Sequence, residues 1–186
     1  MYALLLSLVA VAVAEIGDKT QLLALLLASR FRTPMPILLG IVVATVANHA
    51  LAGLVGAQVA TWLGPEGLRW TIGLGFLGMA GWTLVPDKMD EEEKPRTGSA
   101  FLVTLVSFFL AEMGDKTQIA TVGLAAAHPG NTVWVVVGST LGLLAANAPV
   151  VLLGDRIARR FDLSKARFVA AALFALFGGV VLVRGI

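Results

Sequence analysis

Two short stretches carry side chains able to do chemistry in an otherwise apolar chain. Glu15-Ile16-Gly17-Asp18-Lys19-Thr20-Gln21 recurs as Glu112-Met113-Gly114-Asp115-Lys116-Thr117-Gln118, and only Ile16/Met113 differ. Brought together, four carboxylates and two ammoniums leave a charge of about −2, which one divalent cation would neutralise. Glu15, Asp18, Glu112 and Asp115 are the expected cation ligands. Oxygen atoms of Thr20, Gln21, Thr117, Gln118, Asn48 and Asn147 can support them. Such a hard-donor set suits manganese, calcium or magnesium and selects poorly for copper or zinc. Lys19 and Lys116 carry ammonium groups, which cannot ligate a metal, and are expected to tether the acids and tune their charge.

Both motifs interrupt long apolar runs, Tyr2 to Ala28 and Ala100 to Ala127. A charge at the centre of a bilayer costs roughly 2.5–3.5 kcal/mol on insertion scales, so these residues are expected to be used. If each run is one continuous helix, Glu15, Asp18 and Lys19 share a face, as do Glu112, Asp115 and Lys116. Gly17 and Gly114 allow close helix approach or local unwinding that frees a carbonyl. The plain structural alternative is a pair of internal i,i+4 bridges, Glu15/Lys19 and Glu112/Lys116, which leaves the other two acids unexplained. His49 is either a proton relay or a packed, hydrogen-bonded side chain, and Met113 is expected to pack.

The elements that must position these groups are membrane helices. Hydrophobic residues make up 58% of the 186 and charged ones 14%, too few polar side chains to cover a soluble domain. Six apolar segments, at 2–28, 35–63, 68–86, 100–127, 132–154 and 168–184, approach or exceed the roughly 20 residues needed to cross a bilayer. The expected class is therefore an all-α polytopic membrane protein with almost no soluble part. The net charge of +2 reflects Lys and Arg in short loops, better suited to setting topology than to binding nucleic acid. Without cysteine, disulfides and thiolate ligation are excluded. Ala3 to Ala14 also resembles a signal-peptide core ending in Ala12-Val13-Ala14, but it has no basic leader, and cleavage would strand the first motif at a chain end.

The repeat extends past the motif at offsets of 97 to 99 residues: Gly40 matches Gly138, Asn48 matches Asn147, and Phe76 matches Phe174. The expected organisation is a three-helix repeat over 1–86, a charged linker over 87–99 and a second repeat over 100–186. An odd helix number per repeat makes the pair inverted, with equivalent depths meeting at the midplane. Arg30, Arg32, Lys88, Lys94, Arg96, Arg156, Arg159, Arg160, Lys165 and Arg167 follow the odd helices, against Arg69 and Arg184 on the other side, which puts both termini outside the cytoplasm. The acidic run Asp90 to Glu93 is expected to be a solvated hinge. Gly73, Gly75, Gly78 and Gly81 are expected to serve close helix packing, and Trp62, Trp70, Trp82 and Trp134 to anchor segment ends at the interface.

The duplicated Glu-x-Gly-Asp-Lys-Thr, on the first helix of each of two three-helix repeats, resembles the signature of the family containing human transmembrane protein 165 and its yeast and bacterial relatives, within the lysine-exporter superfamily. The resemblance covers essentially the whole chain. It implies manganese transport, calcium transport in some members, exchange for protons, and manganese export in bacteria. By match it carries over Glu15, Asp18, Lys19, Thr20, Glu112, Asp115, Lys116 and Thr117. Eukaryotic members have an N-terminal extension absent here, so a bacterial plasma-membrane protein is expected.

Export of a divalent cation against a negative interior costs about 4.6 kcal/mol per 100 mV, at about 2.3 per charge. No Gly-x-x-x-x-Gly-Lys-Ser/Thr motif supplies nucleotide energy, so uphill export must use an ion gradient or a partner. The leading expectation is a cation/proton antiporter with lipid, cation and protons as its partners and no cofactor. An acid-lined channel and a non-transporting assembly factor remain as alternatives. No Ser/His or metal-His constellation suggests an enzyme.

Overall fold

The computed structural model describes residues 1–85, 98–153 and 163–185, and among them every regular element is helical. These are α1 (Tyr2–Glu15), α2 (Lys19–Phe31), α3 (Pro34–Thr83), α4 (Ala100–Glu112), α5 (Lys116–Ala127), α6 (Thr132–Leu153) and α7 (Leu163–Arg184). The acidic run Asp90 to Glu93, with Lys88, Lys94, Arg96, Arg156, Arg159 and Arg160, falls outside the described residues.

Both motifs break their helices, so the shared-face reading of a continuous helix is corrected. Gly17 (φ 84°) and Gly114 (φ 75°) take up the left-handed conformation that side chains with a Cβ disfavour. Asp18 is extended and caps α2, accepting from the Thr20 N–H at 3.4 Å. Gln21 Oε1 accepts from the Gly17 N–H at 3.0 Å, and Gln118 Oε1 from that of Gly114 at 2.6 Å, so the freed backbone donors are satisfied from within each motif. The 14 residues of α1 and 13 of α2 each extend about 20 Å, short of a bilayer's roughly 30 Å core. Among the described residues, three helices are individually long and apolar enough to cross: α3, α6 and Arg167–Arg184 of α7.

The 50 residues of α3 are two arms joined at Gly64, whose φ of 62° and ψ of 172° interrupt the helix just before Pro65. Gly56 packs on Val122 and Ala125 of α5, and Phe76 packs on Gly123 of the same helix, so the chain doubles back at Gly64. The Tyr2 and His128 rings lie 5.9 Å apart, and Gly64, Pro65, Pro129, Gly130 and Gly185 line one cavity. The N-terminus, the α3 turn, the α5–α6 loop and the end of α7 thus gather at one end of the bundle. Arg32, Thr33 and Pro34 meet Val151 and Leu152 at the other.

Helix contacts join the two sequence halves. Gly40 in α3 lies against the Phe101 carbonyl and Thr104 of α4; its counterpart Gly138 in α6 lies against the Leu4 carbonyl and Ser7 of α1. A Cβ on Gly138 would come within 2.3 Å of the Leu4 oxygen, whereas one on Gly179 would meet nothing within 4 Å. Gly138→Ala is therefore expected to cost about 1–3 kcal/mol by forcing α1 from α6, and Gly179→Ala to be neutral or slightly stabilising. Thermal unfolding in detergent distinguishes them, and equal midpoints would contradict the packing described.

Large apolar side chains such as Leu54, Val133 and Leu176 face outward, as lipid-facing residues do. Trp62, Trp70 and Trp134 are exposed near the Gly64 end and Trp82 in the last turn of α3, where interfacial anchors belong. Two packing expectations need correction. Of Gly73, Gly75, Gly78 and Gly81 only Gly73 is closely packed, against Leu182 and Gly178; the other three have no neighbour a Cβ would touch. Met113 faces outward and is 57% exposed, because the helix break turns it away from the core.

Candidate cation site

The breaks bring the ends of four half-helices to the centre of the bundle. Glu15 and Glu112 close α1 and α4; Asp18 and Asp115 precede α2 and α5. Both glutamates are fully buried and both aspartates nearly so. Glu112 lies within Coulombic range of Glu15, Asp115 and Asp18. The two N-termini also direct the positive ends of the α2 and α5 dipoles at these carboxylates.

The lysines form ion pairs across the motifs. Lys116 Nζ stands 3.1 Å from Asp18 Oδ1, with both side chains buried. Its counterpart, Lys19 Nζ to Asp115 Oδ1, is longer at 3.7 Å, with the lysine side chain 17% exposed. Each of these pairs joins a lysine of one half to an acid of the other.

Hydroxyls and amides organise the glutamates. Thr20 Oγ1 donates to Glu15 Oε2 at 2.7 Å, and Thr117 Oγ1 to Glu112 Oε2 at 3.0 Å. Asn147 Nδ2 donates to Glu15 Oε2 at 3.1 Å and, at 3.2 Å, to the Leu143 carbonyl. Asn48 acts differently: it donates to the Phe109 carbonyl at 3.0 Å and accepts from Gln118 Nε2 at 3.3 Å. Gln21 Nε2 reaches the Ala146 carbonyl at 3.3 Å. Asn48, Gln21 and Gln118 brace the broken segments through these bonds. Among the described residues, the buried oxygens without a hydrogen-bond partner include three at this centre, Glu15 Oε1, Glu112 Oε1 and Asn147 Oδ1. Among the described residues, His, Asp and Glu side chains are not gathered into a ready-made cluster of three ligands. The acids feel one another's charge while ammonium groups stand at the aspartates.

Glu15, Asp18, Lys19, Thr20, Glu112, Asp115, Lys116 and Thr117 come together at this centre. His49 does not join it: its Nδ1 pairs with Thr140 Oγ1 at 3.2 Å between α3 and α6. The crossed lysines and the Asn147–Glu15 contact carry no signature in local spacing, though the reciprocity of two identical motifs hints at mutual pairing.

A family model described as the divalent cation/proton antiporter GDT1 matches residues 3–91 and 100–186. The chain belongs to the GDT1 family. GDT1 is a family of transporters by that description, not of enzymes, and the apolar helices are those of an integral membrane protein. A Vibrio cholerae protein named "Putative manganese exporter" is 53% identical over 95% of this chain and 88% of its own length. A GDT1-like protein of Synechocystis is 30% identical over 93% of both chains. Rice GDT1-like protein 3 is 31% identical over 94% of this chain and 71% of its own. No solved structure matches the chain.

Proposed function

We propose that this protein is a cation/proton antiporter that exports manganese from a bacterial cytoplasm. The observation that carries the reading is the trio of unpartnered oxygens, Glu15 Oε1, Glu112 Oε1 and Asn147 Oδ1, buried where four half-helices meet. Buried polar atoms normally find partners, and three hard oxygens left open beside excess negative charge fit an arriving divalent cation. Calcium offers the same hard-ion chemistry and is a secondary cargo in this proposal.

Glu15, Glu112, Asp18, Asp115 and Asn147 supply the ligand oxygens. As the cation approaches, Lys116 and Lys19 yield the aspartates, exchanging a tethered positive charge for a mobile one. When the cation leaves, protons return to carboxylates that cannot all stay ionised together in a low-dielectric interior. Membership of a cation/proton antiporter family supports the exchange, and the Vibrio relative's name supports manganese as cargo.

The proposed architecture is six crossings in two inverted repeats, 1–86 and 100–186, joined by a linker at 87–99. Its support is position-for-position reciprocity: Gly40 on Thr104 against Gly138 on Ser7, Lys19 on Asp115 against Lys116 on Asp18, and Phe76 touching its own counterpart Phe174. Both termini lie outside the cytoplasm by the charge of the loops. A reporter fused after Ile186 is expected to behave as periplasmic, and a cytoplasmic signal would reverse the orientation.

The deciding measurement uses purified protein in liposomes loaded with a pH-sensitive dye. External manganese is expected to drive proton movement in the opposite direction, calcium more weakly, and a bare pH gradient to drive manganese uphill. Manganese flux with no proton movement would remove the antiport mechanism; single-channel current steps would replace the carrier with a channel.

A further inference from the structure

The two motifs are near copies, but the walls leading away from them are not. From Glu112, Thr117 Oγ1 is 3.0 Å away; Thr121 Oγ1 donates to the Thr117 carbonyl at 2.9 Å and is 3.0 Å from Ser139 Oγ on α6. The next α6 residue, Thr140, holds His49 of α3. All these side chains are buried. On the same face of α3, one turn before His49, lies Thr45. Both His49 Nε2 and Thr45 Oγ1 are buried and have no hydrogen-bond partner. A polar seam thus runs between α3, α5 and α6, starting at the second motif.

The equivalent seam beside the first motif is apolar. At the motif offset of 97, Thr121 corresponds to Ala24; at the Gly40/Gly138 offset of 98, Ser139 and Thr140 correspond to Ile41 and Val42; at the Asn48/Asn147 offset of 99, His49 corresponds to Ala148. Ala24 and Ile41 are fully buried. Hydroxyls and an imidazole unsatisfied inside a membrane bundle are costly. That cost is relieved if water enters between α3 and the α5–α6 pair.

The seam points to one end. From Thr121 and Ser139, α5 runs forward and α6 backward to the loop at 128–131, and α3 runs from His49 to Gly64. There Thr61, Glu66, Arg69, Pro129 and Gly130 help line a cavity of about 680 Å³. Between seam and cavity, Gly53 lies against Val136 and Thr132, and Gly56 against the Val122 carbonyl and Ala125. This glycine contact closes the route in the present conformation.

We propose that the Thr117–Thr121–Ser139–Thr140–His49 seam is the aqueous passage between the carboxylate centre and the Gly64 end of the protein, opened when α3 parts from α5 and α6 at Gly53 and Gly56. Its Ala24/Ile41 counterpart stays dry. The role as a passage for cargo rests on the transport reading above; the accessibility of the seam does not.

The chain has no cysteine, so single substitutions report accessibility cleanly. Thr121→Cys, Ser139→Cys, Ala24→Cys and Ile41→Cys are made separately, and a charged, membrane-impermeant thiol reagent is applied to each face of oriented vesicles under a manganese gradient. The expected result is reaction at positions 121 and 139 from the face bearing Gly64, at least tenfold faster than at 24 and 41 from that face. No reaction at 121 and 139 under cycling conditions, equal reaction at all four, or reaction at 121 and 139 from the opposite face overturns the passage. Manganese flux is read in the same vesicles. Flux without labelling removes the seam and leaves the transporter, while labelling without flux removes the transporter and leaves the seam. A Thr121→Val/Ser139→Ala double variant is expected to slow flux at least tenfold with manganese affinity within twofold of the parent. Flux at the parent rate would also overturn the proposal.

Discussion

Glu15→Gln and Glu112→Gln are each expected to weaken manganese binding by two to three orders of magnitude and to stop proton-coupled flux. Either change keeps side-chain volume and one oxygen while replacing an acceptor that stands open in the buried centre with an amide that can neither ionise nor hold a returning proton. Four acids against two lysines leave about −2; one neutralisation leaves about −1, and a bound divalent cation then carries an uncompensated positive charge. Removing one partner from a buried charge arrangement costs about 3–5 kcal/mol, and each 1.4 kcal/mol is a tenfold change in affinity. Asp18→Asn and Asp115→Asn test the same account, with Asp18→Asn the more damaging because it also removes the 3.1 Å, fully buried pairing of Lys116. Calorimetric titration of manganese into detergent-solubilised protein, with flux at matched protein levels, checks all four variants. Parent affinity in both glutamine variants would show these carboxylates to be structural.

Lys116→Met is expected to lower stability in metal-free buffer by about 3–5 kcal/mol, because it leaves Asp18 inside the bundle without its ion-pair partner. Lys19→Met should cost less than Lys116→Met, since its 3.7 Å pair is longer and its lysine is less deeply buried. Manganese distinguishes this from a simple packing defect. If the ammonium stands where cargo charge will sit, the metal should restore most of what Lys116→Met loses, by mass action on the folded state. Thermal unfolding with and without millimolar manganese measures it. A loss that metal does not recover, or equal losses in the two lysine variants, would remove the exchange of tethered for mobile charge.

Much of the site was legible because two copies of one motif in apolar runs leave little room for other readings. The all-helical class and the convergence of Glu15, Asp18, Glu112 and Asp115 follow from hydropathy and repetition. The broken helices were obscured because leucine- and alanine-rich sequence continues on both sides of Ile16–Asp18, and a three-residue interruption barely changes an average over some twenty residues. The local signal was present: a glycine followed by Asp is what a helix stop and a new N-cap look like. Nothing local marks the Lys116–Asp18 pairing, which exists only once the halves interlock. The outward Gly75, Gly78 and Gly81 make the converse point, since small-residue spacing permits close packing without requiring it.

The interlocking of the halves has a consequence for how the protein is made. The carboxylate of Glu15 is oriented by Asn147, which lies 132 residues further along the chain, and α1 packs against Gly138 and Gly142 of α6. At translation rates of about 5–20 residues per second, on the order of ten seconds separates the emergence of α1 from that of its packing partner. During that interval the ribosome has delivered an acidic helix break to the membrane with none of its second-half contacts yet synthesised. The nascent first half therefore exists for that interval without the residues that orient Glu15 and pack α1, and its final arrangement can form only after α6 has been made.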